Sequence, residues 1–163
     1  MRSIIATLCI ATFLYSCRTT GVQEEEKIST GPVSLRVVHD QDYGTQSVFR
    51  EGSDKAIVTQ NAKPDFRPYI HPIVAPDGRG VLTEYSPGHH KHQTGLYWGF
   101  TRVNGRDYFH NPGGGYWRRV SAEVLQDTGK VVEWRTVYDL LDSTGNTVLT
   151  ETQNWSMRET DGQ

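Results

Sequence analysis

The chain has 163 residues, a formal net charge of −2, and four Trp, eight Tyr and five Phe against only two Cys. A slightly acidic balance gives no electrostatic reason to expect nucleic-acid binding, so none is expected. Many aromatics over a modest aliphatic content favour a β protein and supply flat ring surfaces of the kind sugars stack on.

The first residues read as a targeting segment. Met1-Arg2-Ser3 is a short positive start, and residues 4–15 are an apolar run too short to span a bilayer as a stable helix. The run ends in Leu14-Tyr15-Ser16-Cys17, which resembles a bacterial lipobox. That resemblance implies residues 1–16 as a lipoprotein signal peptide and lipidation of Cys17. The partner is then a membrane held through the lipid anchor, and the location the bacterial cell envelope, as an outer-membrane lipoprotein on its surface or periplasmic face. Cys9 lies within the segment that would be removed, so Cys17 has no disulfide partner. Residues 17–31, with Glu24-Glu25-Glu26 in the middle, are polar and free of aromatics, as a flexible tether is. Residues 32–163 are expected to form one domain.

From residue 32 onward, short β-rich runs alternate with turn signals, and no stretch carries a sustained helical period. Strands are expected over 33–38, 47–50 and 56–59, the last two joined by Glu51-Gly52-Ser53-Asp54. Residues 64–76 are Pro-punctuated and extended, suited to a sheet edge. Residues 95–103 read as a strand, Asn104-Gly105 as a hairpin turn, and 106–110 as the return strand. Three long strands follow over 116–126, 131–141 and 147–157. In the middle one Val132, Trp134, Thr136, Tyr138 and Leu140 alternate with Glu133, Arg135 and Asp139, the pattern of a half-buried antiparallel strand. Successive hairpins without crossover helices predict an all-β antiparallel β-sandwich. Residues 154–163 read as a strand entering another turn at Asp161-Gly162, so part of the sandwich is expected beyond Gln163.

Five of the six histidines fall within residues 64–116, together with most of the prolines. Unpaired His is costly to bury and Pro interrupts sheet pairing, so this crowding suits loops that hold polar groups in fixed positions. His90 and His92 lie two apart. In extended backbone they share a face, and they are the candidate ligands of a divalent transition metal, with His71, Glu84, His89 or His110 as a third. The alternative chemistry is acid–base, with Glu84, Asp107 or Glu151 partnering a histidine. Of these three, Glu84 is expected to face the site, Asp107 to belong to the hairpin, and Glu151 to sit on a solvated strand face. The candidate catalytic residues are therefore His71, His90, His92 and Glu84. Arg67, Tyr69, His89, His110 and Trp117 are candidates for binding substrate. Pro68 and Pro72 stiffen the backbone around Tyr69 and His71, and Arg67 can hold an anionic group. Trp117 and Trp98 are candidate stacking platforms.

Taken in order, Arg67-Pro68-Tyr69-Ile70-His71-Pro72, the segment Gly88-His89-His90-Lys91-His92-Gln93-Thr94-Gly95 followed by Leu96-Tyr97-Trp98, and Val103-Asn104-Gly105 with Asp107-Tyr108-Phe109 resemble a bacterial family filed as "methane oxygenase PmoA" or PmoA-like, otherwise a domain of unknown function. Many of its members carry Asp-His-x-His-His-x-Gly. Here the acidic position is Gly88 and the last His pair is split by Lys91, which departs from any inherited metal role. The label is not an activity, because the methane monooxygenase membrane subunit is an integral helical protein and nothing after Cys17 reads as such a helix. By fold analogy alone, the expected sandwich is similar to the supersandwiches of sugar mutarotases. The function expected from all this is a lipoprotein that binds or processes a carbohydrate or sugar-derived small molecule in a His-rich cleft. The alternatives are a metal-dependent oxygenase or hydrolase, and a non-catalytic glycan-binding scaffold.

Overall fold

A computed structural model describes residues 34–160. Eight strands run in chain order: β1 (Leu35–Asp40), β2 (Thr45–Arg50), β3 (Ala56–Asn61), β4 (Tyr69–Ile73), β5 (Trp117–Gln126), β6 (Thr128–Gly129), β7 (Val131–Leu141) and β8 (Thr147–Arg158). They form two antiparallel sheets, one ordered β4-β3-β2-β1-β6 and the other β5-β7-β8. The architecture is the expected all-β sandwich, and no helix occurs among the described residues. The segment at 127–130, between two of the expected strands, does more than reverse the chain. Thr128 and Gly129 pair with Arg36 and Leu35, so the β5–β7 connection stitches one sheet to the edge of the other.

The two sheets close over alternating inward side chains, as the period-2 pattern of β7 requires. Val132, Trp134, Thr136, Tyr138 and Leu140 are all buried. Leu35, Val37 and Val48 meet Val132 and Trp134 across the interface, and Trp134 stacks on Trp155 at 6.3 Å. A second cluster joins Tyr108, Trp117, Tyr138 and Leu140. Between them lies a polar seam. Gln60 donates to Thr136 Oγ1 and Gln153 Oε1, while Trp134 Nε1 donates to Gln60 Oε1 at 2.6 Å. Buried amides are tolerable only when bonded in this way.

The expected strands over 95–103 and 106–110 do not form. The Asn104-Gly105 turn is present, with φ of 49° and 79°, but it closes only the single bridge Val103–Arg106. The amides of Tyr108 and Phe109 both donate to Phe100 O, a two-against-one arrangement that ends the ladder. What holds the returning segment is burial. The Tyr108 ring is enclosed, its hydroxyl donating to Leu141 O at 2.8 Å. Residues 74–116 therefore form an irregular excursion between β4 and β5. Excursions of that length without strands of their own are characteristic of binding and catalytic loops.

Candidate functional site

The excursion is organised around Arg67, placed just before β4 by a backbone bond from its N–H to Pro112 O. Its side chain is fully buried. A guanidinium survives burial only where its rigid fork of donors meets acceptors. Here one arm donates to Phe109 O and the other to His92 O at 2.5 Å and to Thr94 Oγ1 at 3.4 Å, while the plane lies 3.5 Å over the Tyr97 ring. Burial lowers its pKa to about 10, offset in part by Tyr97 and Glu151, so it stays charged at neutral pH. The expected role of Arg67 was to hold an anionic ligand. In the structure its two terminal nitrogens are spent on the Phe109 and His92 carbonyls and the Thr94 hydroxyl, while Nε is buried without a partner among the described residues, and the side chain is a staple of the protein's own backbone.

Both carbonyls belong to the histidine loops. Residues 87–93 are not extended. His90 N–H donates to Pro87 O and Gln93 N–H to His90 O, two tight turns in succession. Gly88 at φ 48° and Ser86 at φ 50° permit this course. The turns still gather the imidazoles. His89 lies 4.0 Å from His90 between ring centroids, His90 6.0 Å from His92, and His92 4.6 Å from His110. Phe109 packs against both His92 and His110.

Asp107 fixes the last of these rings. Its Oδ1 accepts from the Phe109 and His110 amides, and its Oδ2 lies 2.7 Å from His110 Nδ1. Bonding to the His110 side chain, with the backbone amides, holds the Asp107 carboxyl below the ordinary carboxylate range. An ionised carboxylate beside Nδ1 selects the tautomer with the proton there, which leaves His110 Nε2 as an acceptor facing outward. His92 is pushed the other way from a free imidazole: desolvation first, then the neighbouring His110, His90 and Arg67, lower its pKa. The arrangement thus pairs a carboxylate-backed imidazole with a second ring biased toward neutrality. Trp98, between Tyr97 and Gly99, both packed against Phe109, is 56% exposed beside it.

His71 belongs to a different group. On β4 its Nδ1 lies 2.9 Å from Thr83 Oγ1, and its ring meets Tyr85 at 5.8 Å. Tyr69 is buried against Phe66 and Tyr85, and burial, then Tyr85, raises its hydroxyl pKa. Glu84 is exposed nearby in sequence. Trp117 is wholly enclosed between Tyr108 and Tyr138, its Nε1–H donating to Asn111 O, and it presents no face to solvent. Glu151 is not on the solvated face expected for it. It pairs with Tyr138 across β7 and β8 and shares that residue's inward face, where burial raises its carboxyl pKa and Oε2 has no partner among the described residues. Cys17 lies outside the described residues.

The His90 and His92 rings meet edge-on, and among the described residues no three His, Cys, Asp or Glu side chains are grouped to hold a metal ion. Nor, among them, is any helix long and apolar enough to cross a membrane. The sequence pointed to the histidines and offered Asp107 as a partner for one of them, but it assigned Asp107 to the hairpin and did not single out the Asp107–His110 pair. Its signal is the i, i+3 spacing just after the Asn-Gly turn, where a short loop folds Asp back on its own amides.

Residues 44–163 match the model of a family of unknown function, DUF6807. The chain belongs to that family. The match includes β2 to β8, Arg67, His71 and all four histidines of the excursion, so the features of the site lie within the DUF6807 region. No curated protein and no solved structure matches the chain.

Proposed function

We propose that this DUF6807 protein is a membrane-anchored, PmoA-like lipoprotein that binds or processes a carbohydrate at the His92–His110 cluster. One observation carries the reading: Asp107 holds His110 Nδ1 at 2.7 Å while the His92 ring stands 4.6 Å from His110. Such a pair suits proton transfer at a sugar hydroxyl or a sugar-derived carbonyl. His110 Nε2 takes the proton, the imidazolium is held by the Asp107 carboxylate, and the neutral His92 stands beside it to donate to or accept from the neighbouring oxygen. Trp98 and Phe100, both exposed, supply the apolar surface on which a sugar ring stacks. The anchor rests on the Leu14-Tyr15-Ser16-Cys17 motif.

The test uses the full chain purified without its lipid, screened against a panel of glycans and free sugars for binding and for turnover. His110→Ala and Asp107→Asn are expected to keep sugar binding and to lose about 10²- to 10⁴-fold in turnover. Binding without turnover in the wild type would instead make the protein a glycan-binding scaffold. No binding of any sugar by the wild type would sink the carbohydrate reading.

A further inference from the structure

The His71 group stands on the same face as the histidine cluster. Arg67, Tyr69 and His71 alternate along the chain into β4 and so point to one side. The Ile70–Leu96 bridge sets the register of the neighbouring segment and brings Gly95, Tyr97 and Gly99 to that side as well. A Cβ on Gly95 would stand 2.9 Å from His71 Cβ, the Tyr97 ring lies 3.5 Å from the Arg67 guanidinium, and a Cβ on Gly99 would stand 2.6 Å from Phe109 Cδ2. Phe109 in turn packs on His92 and His110. His71 is therefore four residues along this face from Arg67, a distance of about 13 Å.

The His71 tautomer follows from its partner. Thr83 Oγ1 accepts from the Ile73 amide at 3.1 Å and lies 2.9 Å from His71 Nδ1. With no other acceptor for it among the described residues, the hydroxyl proton goes to Nδ1, and the ring's own proton sits on Nε2. That nitrogen has no partner among the described residues and is not sealed from solvent. His71 thus presents a donor, whereas His110, with Asp107 at its Nδ1, presents an acceptor. Tyr85 packs on Tyr69 and His71, at 5.6 and 5.8 Å, and is still 47% exposed. A held aromatic ring beside one outward N–H offers the two contacts a pyranose takes: a surface for its apolar face and a donor for a hydroxyl oxygen.

Resting on the carbohydrate reading of the histidine cluster, we propose that Tyr85 and His71 form a second sugar subsite, so that the ligand is a linear oligosaccharide. One unit lies at His92–His110, and a later unit stacks on Tyr85 and accepts from His71 Nε2–H. A separation of about 13 Å is longer than one pyranose ring, so a chain of sugars is needed to reach both.

The full chain without its lipid is titrated with the monosaccharide, di-, tri- and tetrasaccharide of each glycan in the panel. Affinity is expected to rise about tenfold or more at one step of that series, when the chain reaches the second subsite. Tyr85→Ala removes the platform, and His71→Phe keeps a packed ring but removes the donor. Both are expected to lose the rise. Independently of any ligand, ¹⁵N spectra of the imidazoles above neutral pH are expected to place the proton on Nε2 in His71 and on Nδ1 in His110. The opposite tautomer at His71, or a rise that survives both substitutions, would overturn the proposal. Affinity that is flat with chain length in a protein that binds the monosaccharide would remove this subsite alone. Binding of no sugar of any length would remove the carbohydrate reading and the subsite together.

Discussion

Arg67→Lys tests whether one side chain holds the histidine loops together. Lysine keeps the charge but replaces a planar fork with a single ammonium, which cannot span Phe109 O and His92 O at once. Arg67 gives one arm to each carbonyl, adds Thr94 Oγ1 at 3.4 Å, and lies over Tyr97 at 3.5 Å. Losing one bond of charged character costs about 1.5–3 kcal/mol. Losing the stacking on a desolvated ring costs about 1 kcal/mol more. The sum is about 3 kcal/mol, and at a slope of about 2 kcal/mol per molar urea it lowers the unfolding midpoint by about 1.5 M. Arg36→Lys is the control. Arg36 also donates to a carbonyl, Ser53 O at 2.8 Å, and lies over Phe49 at 4.2 Å, but it is only half-buried and is expected to cost less than about 1 kcal/mol. A midpoint shift for Arg67→Lys no larger than that of Arg36→Lys would refute the assignment of Arg67 as the staple. So would a stability loss with the His92 and His110 ring resonances unmoved.

Gly95→Ala probes the same loops from the backbone. Gly95 has φ +102°, and a Cβ there would stand 2.3 Å from Ile70 O and 2.9 Å from His71 Cβ, so the substitution is expected to break the Ile70–Leu96 bridge and cost about 3 kcal/mol or more by thermal unfolding. The pH dependence has a fixed sign. The fold depresses His92 below its ordinary 6.5, so it favours the neutral ring, and the stability from this group is present above pH 6.5 and lost as pH falls below it. Asp107, depressed below 3.8, contributes above that value and loses its contribution as pH falls through its folded pKa. His92→Gln is therefore expected to flatten the urea midpoint against pH just below 6.5, and Asp107→Asn to flatten it only at the acid end. An unchanged profile in His92→Gln would show that its ring titrates as a free imidazole.

The β framework was legible because its determinants are local. In β7 every second residue from Val132 to Leu140 is apolar or Thr, and all five are buried. The break between the expected strands at 142–146 is local too, since Asp142 Oδ1 accepts from the Thr144 and Asn146 amides. Glu151 was misplaced although the same arithmetic reaches it. Counting by twos back from Met157 and Trp155 through Gln153 puts Glu151 on the inward face, opposite Tyr138. A charge on an otherwise polar strand drew the reading outward, where carboxylates usually are. The strands expected over 95–103 and 106–110 failed for a different reason. Their alternation and Asn-Gly turn were sound local signals, but both Tyr108 and Phe109 amides turn to one carbonyl, and the segment is fixed by a Tyr108 ring sunk among Trp117, Tyr138 and Leu140.

That difference explains why the site was only half legible. Histidine crowding located it, but the side chain that arranges it takes its acceptors from His92, Thr94 and Phe109, residues 25 to 42 positions along the chain. No spacing rule reaches so far. The excursion has few ladder bonds of its own, so its order comes from buried side chains: Arg67 beneath the histidines, Tyr108 and Trp117 in the core. A site built this way is coupled to the sandwich through packing. Substitutions such as Tyr108→Phe, which strips the donor from Leu141 O without emptying the core, should therefore disturb the His92–His110 spacing as well as stability. In a loop held by its own strand ladder, the same change would register in stability alone.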